Sequence, residues 1–297
     1  MMLDMSSMRS RVPTSWVAVF ITVALSGLLV SCGGDGEQSP RPAKIAFADD
    51  WQSVFVMNPD GTGVTRIADG GDPSFAADGS KIVVGGRSIS AMDPDGSNIV
   101  KLADGGYQPT FSPDGTRIAF VRGGVIYVMN ADGSQLKQLT TPGPTSGRDL
   151  TSSHHPAFSP DGATIVFTRA DTIWTMASDG TGQRQLLTDG YFNSEAVFTP
   201  DGAGIVFTSN RGGKDRSEIY MMDLDGEHVR PLTDDHTGHP SFTSDDTILF
   251  TRFTRDPATS DNGVEIWEMN SDGSNPHRLT DPQQTAQHPS WGGETVP

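Results

Sequence analysis

The chain of 297 residues carries 21 lysines and arginines against 37 aspartates and glutamates, for a net charge of −16. This acidic balance argues against a nucleic-acid partner, because such binding depends on neutralising phosphates with Lys and Arg. One cysteine excludes an intramolecular disulfide framework and any all-cysteine zinc site. The 34 glycines and 20 prolines, which show no collagen period, indicate either disorder or many short strands joined by turns.

The N-terminal segment has the features of an export signal. Arg9 and Arg11 precede an uncharged, mostly apolar run over 16–30, which is short for a membrane span but typical of a signal-peptide core. The run ends at Ser31-Cys32 and a Gly-rich stretch follows, which resembles the lipobox of bacterial lipoproteins. The resemblance implies lipidation of Cys32 and anchoring at the membrane surface. An ordinary secretory signal with an incidental cysteine and an uncleaved anchor are the alternatives.

The domain boundaries follow from this signal and from the composition after it. Residues 1–31 are assigned to the signal peptide and 32–42 to a lipidated, flexible tether of Gly, Ser, Pro and charged residues. One folded domain is expected over 43–291, and 292–297 form a tail. We expect an extracytoplasmic monomer that contacts the bacterial membrane through lipidated Cys32 only, in the periplasm or on the outer surface.

Two short motifs recur through the expected domain. Met-x-x-Asp-Gly occurs six times, with glycines 35, 37, 47, 46 and 47 residues apart, and it begins at Met57, Met92, Met129, Met176, Met222 and Met269. A Phe-Ser-Pro-Asp-Gly-like segment precedes most copies and begins at Phe75, Phe111, Phe158, Phe198 and, in degenerate form, Phe242. One repeat position thus accounts for these methionines as packing residues.

Each repeat predicts four β-strands. Short β-branched and aromatic runs such as 117–120 and 126–129 are separated by Asp-Gly pairs, which is typical of strands joined by hairpins. Units of four strands spaced by about 40 residues are typical of propeller blades, so the predicted fold is an all-β, six-bladed β-propeller. The first unit, from Lys44, lacks the opening Pro-x-Phe strand, and 288–291 is an orphan copy of it. We therefore expect the C-terminal strand to complete the first blade and close the ring.

These Phe-Ser-Pro-Asp-Gly and Met-Asn-x-Asp-Gly repeats resemble those of TolB-type propellers, which are related to WD-repeat propellers. The resemblance covers about 43–291 and implies protein binding at the cell envelope. It departs from the family in one respect, because TolB carries an N-terminal α/β domain where this sequence offers only a tether.

The Asp-Gly turns also invite a calcium hypothesis, since carboxylates and carbonyls are calcium ligands. Their spacing does not match an EF-hand, which needs oxygens over twelve residues and a closing Glu. Aspartates that cap turn amides, followed by a glycine of positive φ, explain the motif without a metal.

Two positions that vary between repeats are the candidate site. The residue before Pro-x-Phe should border the central channel; reading round the ring gives Asp72, Gln108, His155, Glu195, His239 and His288. At the end of each second strand stands an arginine, at Arg87, Arg122, Arg169, Arg211 and Arg252. Long insertions at 141–154, 209–217 and 251–263 lie on the same expected face, and long loops on a rigid scaffold commonly carry function.

Three hypotheses fit this face. The first is a structural network of Arg, Asp, Glu and His around channel water. The second is recognition of an envelope protein or an anionic envelope ligand, with Arg as the planar donor. The third is a divalent metal held by His155, His239 and His288, as the channel histidines of some polysaccharide lyases on related propellers hold one.

Catalysis has little direct support in the sequence. There is no Gly-x-Ser-x-Gly elbow, no His-Glu-x-x-His and no P-loop. The favoured function is therefore a lipid-anchored, non-enzymatic protein- or ligand-binding module at the bacterial envelope, with no cofactor. The alternative is a metal-assisted lyase or hydrolase that acts on an anionic polysaccharide through the channel histidines.

Overall fold

The computed structural model describes residues 43–49, 53–141, 152–213, 216–255, 262–281 and 284–293. The predicted signal peptide, Cys32, the tether and the centres of the three long insertions lie outside the described residues, as do residues 294–297. None of the described segments forms a helix long and apolar enough to cross a membrane.

The described segments form 22 strands and no α-helix. The first eleven are β1 (Lys44–Asp49), β2 (Ser53–Met57), β3 (Thr65–Asp69), β4 (Gly71–Phe75), β5 (Ile82–Met92), β6 (Val100–Phe111), β7 (Arg117–Arg122), β8 (Val125–Asn130), β9 (Lys137–Gln138), β10 (Ser153–Phe158) and β11 (Thr164–Arg169). The others are β12 (Thr172–Ala177), β13 (Arg184–Gln185), β14 (Asn193–Phe198), β15 (Gly204–Ser209), β16 (Glu218–Asp223), β17 (Arg230–Pro231), β18 (Thr237–Phe242), β19 (Thr247–Arg255), β20 (Asn262–Asn270), β21 (His277–Arg278) and β22 (Gln287–Gly292).

The all-β propeller is present, but the prediction of six four-stranded blades was wrong. The described strands form five blades. Four have four strands each, in the orders β22-β1-β2-β3, β10-β11-β12-β13, β14-β15-β16-β17 and β18-β19-β20-β21. The fifth is a six-stranded sheet with the order β4-β5-β6-β7-β8-β9, which replaces the second and third predicted units.

The physical reason lies in the short second and third repeats. Strand β5 runs without a break through the positions of the second and third predicted strands of its unit. Strand β6 joins the fourth strand of that unit to the first strand of the next, with only Gly105-Gly106 near the junction. The repeats of 35 and 37 residues lack the roughly ten extra residues that separate these strands elsewhere, so two predicted units share one sheet.

The predicted closure of the ring is confirmed. Strand β22 pairs antiparallel with β1, and Trp291 lies opposite Ile45 while Gly292 lies opposite Lys44. The C-terminal strand is thus the innermost strand of the sheet that contains the first described strand, and it covers the inner edge of β1.

The core repeats around the ring because the strand pattern repeats. The second strand of most units buries a phenylalanine completely or nearly so, at Phe47, Phe120, Phe167, Phe207 and Phe250. The six repeat methionines are also buried, as expected for packing residues. Gly61 shows why the turn needs glycine: its φ is +80°, and a β-carbon there would lie 2.1 Å from the carbonyl oxygen of Leu279.

Candidate functional site

The six predicted channel residues occupy one equivalent backbone position. They lie on β4, β6, β10, β14, β18 and β22, and each sits at a β-bulge where the pairing register shifts. All six have positive φ, between 47° at Asp72 and 57° at His288. Non-glycine residues in the left-handed region cost on the order of 1–2 kcal/mol each, and such strain clusters at functional sites. We call these six residues, Asp72, Gln108, His155, Glu195, His239 and His288, the polar ring.

One half of the polar ring is a chain of hydrogen bonds from strand to strand. The backbone N–H of Gln108 donates to Oδ2 of Asp72 at 2.9 Å. The backbone N–H of His155 donates to Oε1 of Gln108 at 2.9 Å, and Nε2 of Gln108 lies 2.7 Å from Nε2 of His155. Each side chain therefore satisfies the backbone of the next bulge.

The other half is built around Glu195. Its Oε2 accepts the backbone N–H of His239 at 2.8 Å and the hydroxyl of Thr208 at 2.8 Å. Its Oε1 lies 3.2 Å from Nε2 of His239, so the two side chains form a buried ion pair when His239 is protonated. This pair is the most charged contact of the polar ring.

His288 links the two halves. Its ring stacks on that of His239, with centroids 3.7 Å apart. Its Nδ1 lies 3.3 Å from Oδ1 of Asp72. Asp72 and His288 therefore meet where β22 closes the propeller.

Burial divides the polar ring into charged and neutral groups. Burial raises the pKa of Asp72 to about 7 and lowers the pKa of His155 to about 4. Burial also holds the pKa of His288 well below its usual range, and the charge of His239 adds to the effect. For Glu195 burial acts upward, but the charge and hydrogen bonds of His239 outweigh it and hold the pKa well below its usual range. Glu195 is thus ionised, while His155 and His288 are neutral.

A cavity of about 390 Å³ lies on one side of the polar ring. All six ring residues line it, together with residues that follow them along the inner strands, as far as Ala77 and Pro113 in the next turns. Gly71, Tyr107 and the other residues that precede them on the strands are not in its lining. The polar ring is therefore the floor of the cavity, and the mouth lies on the face of the Asp-Gly turns.

The walls above the floor are mostly apolar. The layer next to the floor is proline in five strands and Ala196 in the sixth. Small residues such as Thr110 and Ser241 form the next layer, and the mouth is rimmed by Phe75, Phe111, Phe158, Phe198 and Phe242. On the floor, Nδ1 of His155 is buried and makes no hydrogen bond within the described part of the protein.

The predicted arginines do not line this cavity. Four of them stack on aromatic rings of the third strands: Arg122 lies 4.4 Å from the Tyr127 centroid, Arg169 5.2 Å from Trp174, Arg211 5.0 Å from Tyr220 and Arg252 4.5 Å from Trp267. Such guanidinium–ring contacts stabilise the blade surface.

Hydrogen bonds also fix the side chains of three of these arginines. Arg211 donates to Asp189 and Arg252 donates to Asp235. Burial lowers the pKa of Arg169, which donates to Ser153 and Gln183. Arg87 differs from these four because its side chain is exposed.

The histidines considered for a metal are not arranged as a ligand set. The rings of His239 and His288 lie against each other with their planes tilted by 35°, while His155 lies within hydrogen-bond distance of Gln108. Within the described ranges no group of three or more His, Cys, Asp or Glu residues could hold a metal ion.

Sequence reasoning located the polar ring but missed the cavity wall and the direction of its mouth. The signal was present, because proline and phenylalanine follow the ring position at fixed offsets in most repeats. Those residues served only to mark the opening strand of each unit, although the inner strand of a propeller also faces the channel.

The fold and the channel define a closed β-propeller with a polar-floored axial cavity. The chain belongs to the TolB beta propeller domain family, whose model (PD40) matches residues 97–295. No curated protein matches this chain at a significant level.

Solved structures give the same fold. TolB from Acinetobacter baumannii superposes with a TM-score of 0.67 at 20% identity, over 84% of this chain and 67% of that one. A protein assigned as TolB from Agrobacterium tumefaciens gives 0.62 at 21% identity, over 82% and 90% of the two chains. An oligogalacturonate lyase from Vibrio parahaemolyticus gives 0.53 at 14% identity, over 80% and 74%. Identities this low establish the fold alone.

Proposed function

We propose that this protein is a non-enzymatic binding module of the bacterial cell envelope, tethered outside the cytoplasm through lipidated Cys32. The axial cavity is its binding site. The observation that carries the proposal is a preformed, mostly apolar cavity of about 390 Å³ with a fixed polar floor, in a member of the TolB propeller family.

The geometry suits binding better than turnover. The carboxylate of Glu195 is engaged by His239 and by Thr208, and Asp72 is engaged by Gln108 and His288. These contacts hold the ring in one arrangement, which suits a preorganised floor for a bound partner. The walls, by contrast, offer aromatic and proline surface that an inserted side chain would cover.

The proposal is tested by filling the cavity. Ser241→Trp places an indole in the wall, and the milder Ser241→Leu narrows the same space. With the full-length protein expressed in its own cells, in vivo crosslinking should yield a partner adduct that Ser241→Trp loses and Ser241→Leu reduces. Arg87→Ala is the matched control, because that side chain is exposed and lies outside the cavity lining.

Thermal melting of each variant separates loss of binding from loss of the fold. The cavity would be overturned as the binding site if a folded Ser241→Trp variant kept the partner adduct and Arg87→Ala lost it. The binding site would then be assigned to the predicted arginines.

The alternative, a metal-assisted lyase or hydrolase acting on an anionic polysaccharide, makes a separate prediction. The purified protein would then bind a stoichiometric divalent metal, and His155→Ala or His288→Ala would abolish that binding. Metal analysis after equilibration with Mn²⁺, Ca²⁺ or Zn²⁺ tests it directly. Stoichiometric binding with this dependence would replace the binding module by the enzyme hypothesis.

A further inference from the structure

The mouth of the cavity is surrounded by acidic turns. The five turns that follow β4, β6, β10, β14 and β18 each carry an exposed aspartate; these residues, Asp78, Asp114, Asp161, Asp201 and Asp245, are here called the acidic annulus. Neighbouring turns lie close together, because a β-carbon added at Gly162 would lie 3.7 Å from Pro113 and one added at Gly202 would lie 3.8 Å from Pro160. The aspartates are not in the lining of the cavity, so the annulus lies outside the phenylalanine rim.

Three carboxylates of the annulus, those of Asp114, Asp161 and Asp201, are held ionised by their own turns. Oδ1 of Asp114 accepts the hydroxyl of Ser112 at 2.5 Å and the backbone N–H of Thr116 at 3.1 Å. These hydrogen bonds lower its pKa to about 2. Equivalent bonds lower the pKa of Asp161 and that of Asp201. The negative charge is thus present throughout the physiological pH range.

Few positive groups offset this charge. On the strands that leave these turns, Lys81 pairs with Asp93 at 2.6 Å, and Arg117 donates to the carbonyl of Gly162 and to Ser178. Arg117 also shows what the rim can bind, because its guanidinium lies 5.3 Å from the centroid of Phe158, a ring that lines the cavity. A phenylalanine rim beside carboxylates attracts cations through both the ring faces and the charge.

We infer that the cavity takes a basic, extended segment of a partner protein, which enters from the face of the Asp-Gly turns with its Lys or Arg side chains against the acidic annulus. This rests on the proposed function and specifies its partner. The proposed ligand has the opposite charge to the one expected from the sequence, in which the arginines at the other ends of the strands indicated an anionic ligand. Charge complementarity of this kind speeds encounter and selects the partner.

The test uses two labelled probe peptides, (Gly-Lys)₄ and (Gly-Glu)₄, and the full-length protein in fluorescence anisotropy at low and physiological salt. We expect (Gly-Lys)₄ to bind at least about tenfold more tightly than (Gly-Glu)₄, with an affinity that falls as salt rises. Ser241→Trp should abolish the binding of (Gly-Lys)₄.

Two variants of equal charge locate the effect. Asp78, Asp114, Asp161 and Asp201 are replaced together by Asn, which keeps a side-chain carbonyl to cap each turn. The control replaces Asp60, Asp132, Asp179 and Asp272 of the outer Met-x-x-Asp-Gly turns by Asn in the same way. The annulus variant should lose about tenfold in affinity for (Gly-Lys)₄ and the outer variant less than about twofold.

Equal losses in the two variants would overturn the proposal, because the attraction would then be general acidity. If (Gly-Lys)₄ fails to bind while Ser241→Trp still loses the crosslinked partner, the basic segment is overturned and the proposed function stands. If (Gly-Lys)₄ binds a folded Ser241→Trp variant as tightly as it binds the parent protein, the cavity is excluded as the binding site. Both the basic segment and the proposed function are then overturned.

Discussion

The two ends of the channel differ in what their polar groups do. At the floor, six polar residues in strained backbone conformations lie side by side, and hydrogen bonds between neighbouring strands join several of them. At the mouth, phenylalanines and proline-walled space are bordered by carboxylates whose turns keep them charged. Most polar groups of the floor are engaged by neighbouring groups of the protein, whereas the mouth is open. A concentration of histidines and acids therefore marks the end of the cavity rather than the part of it that a partner would contact.

The largest effect should come from removing the strand that serves both ends. Deleting residues 285–297 takes away His288 of the floor, Ser290 of the wall and the strand that covers Ile45 and Phe47. We expect loss of the cooperative thermal transition, because several fully buried side chains lose their cover at several kcal/mol in total. Differential scanning calorimetry of the deletion variant and the parent protein measures this transition.

A synthetic peptide of residues 284–297 provides the control for this deletion. Added in excess, it should restore part of the transition by pairing with β1. A deletion variant that melts cooperatively near the temperature of the parent protein would show that β22 does not close the ring.

The next effect isolates the floor. Glu195→Gln removes the charge opposite His239 and weakens the acceptor for Thr208 and for the His239 backbone. Breaking a buried ion pair on one side costs about 3–5 kcal/mol, and urea denaturation should show a loss in that range under conditions in which His239 is protonated.

Asp223→Asn is the matched exposed control for this variant. Asp223 pairs with His228 at 2.7 Å on the surface, and an exposed pair contributes at most about 1 kcal/mol. Similar losses in the two variants would mean that the floor is no more than a surface-like polar cluster.

The most specific effect is a pH dependence, which is small at each step of pH. In the folded protein the pKa of Asp72 is about 7, above its ordinary value near 3.8, so between these values the folded chain holds a proton that the unfolded chain has lost. Asp72 therefore reduces stability as pH rises through this window, by up to about 1.4 kcal/mol per pH unit. His155, with its pKa lowered to about 4, acts in the opposite direction below pH 6.5.

Asp72→Asn removes the first contribution and leaves the second. The stability of the variant relative to the parent protein should rise from pH 4 to pH 7 and then stay constant. Urea midpoints at half-unit steps of pH measure it. A difference that does not change with pH would mean that Asp72 is ionised in the folded protein.

Much of the fold could be read from the sequence because short strands and Asp-Gly turns are local signals. The closing strand was found by its copy of His-Pro-x-aromatic, and the polar ring by its offset from Phe. The fused sheet was missed because hydrogen bonding across Gly105-Gly106 depends on how two repeats meet, which motif counting does not register. The stacking of the arginines could not be read from the sequence, because a cross-strand contact such as that of Arg252 with Trp267 is a three-dimensional relation.

The pairing of β1 with β22 has one more consequence. Lys44 and Gly292 are cross-strand partners, so the first and last strands of the ring end side by side. A short Gly-Ser linker could join them covalently, and new ends could be opened at an exposed Asp-Gly turn such as Asp132-Gly133. A circularly permuted protein of this kind would keep the contacts between blades but would be attached at a different point of the ring. The orientation of the cavity mouth toward a membrane could then be chosen without changing the residues that bind in the cavity.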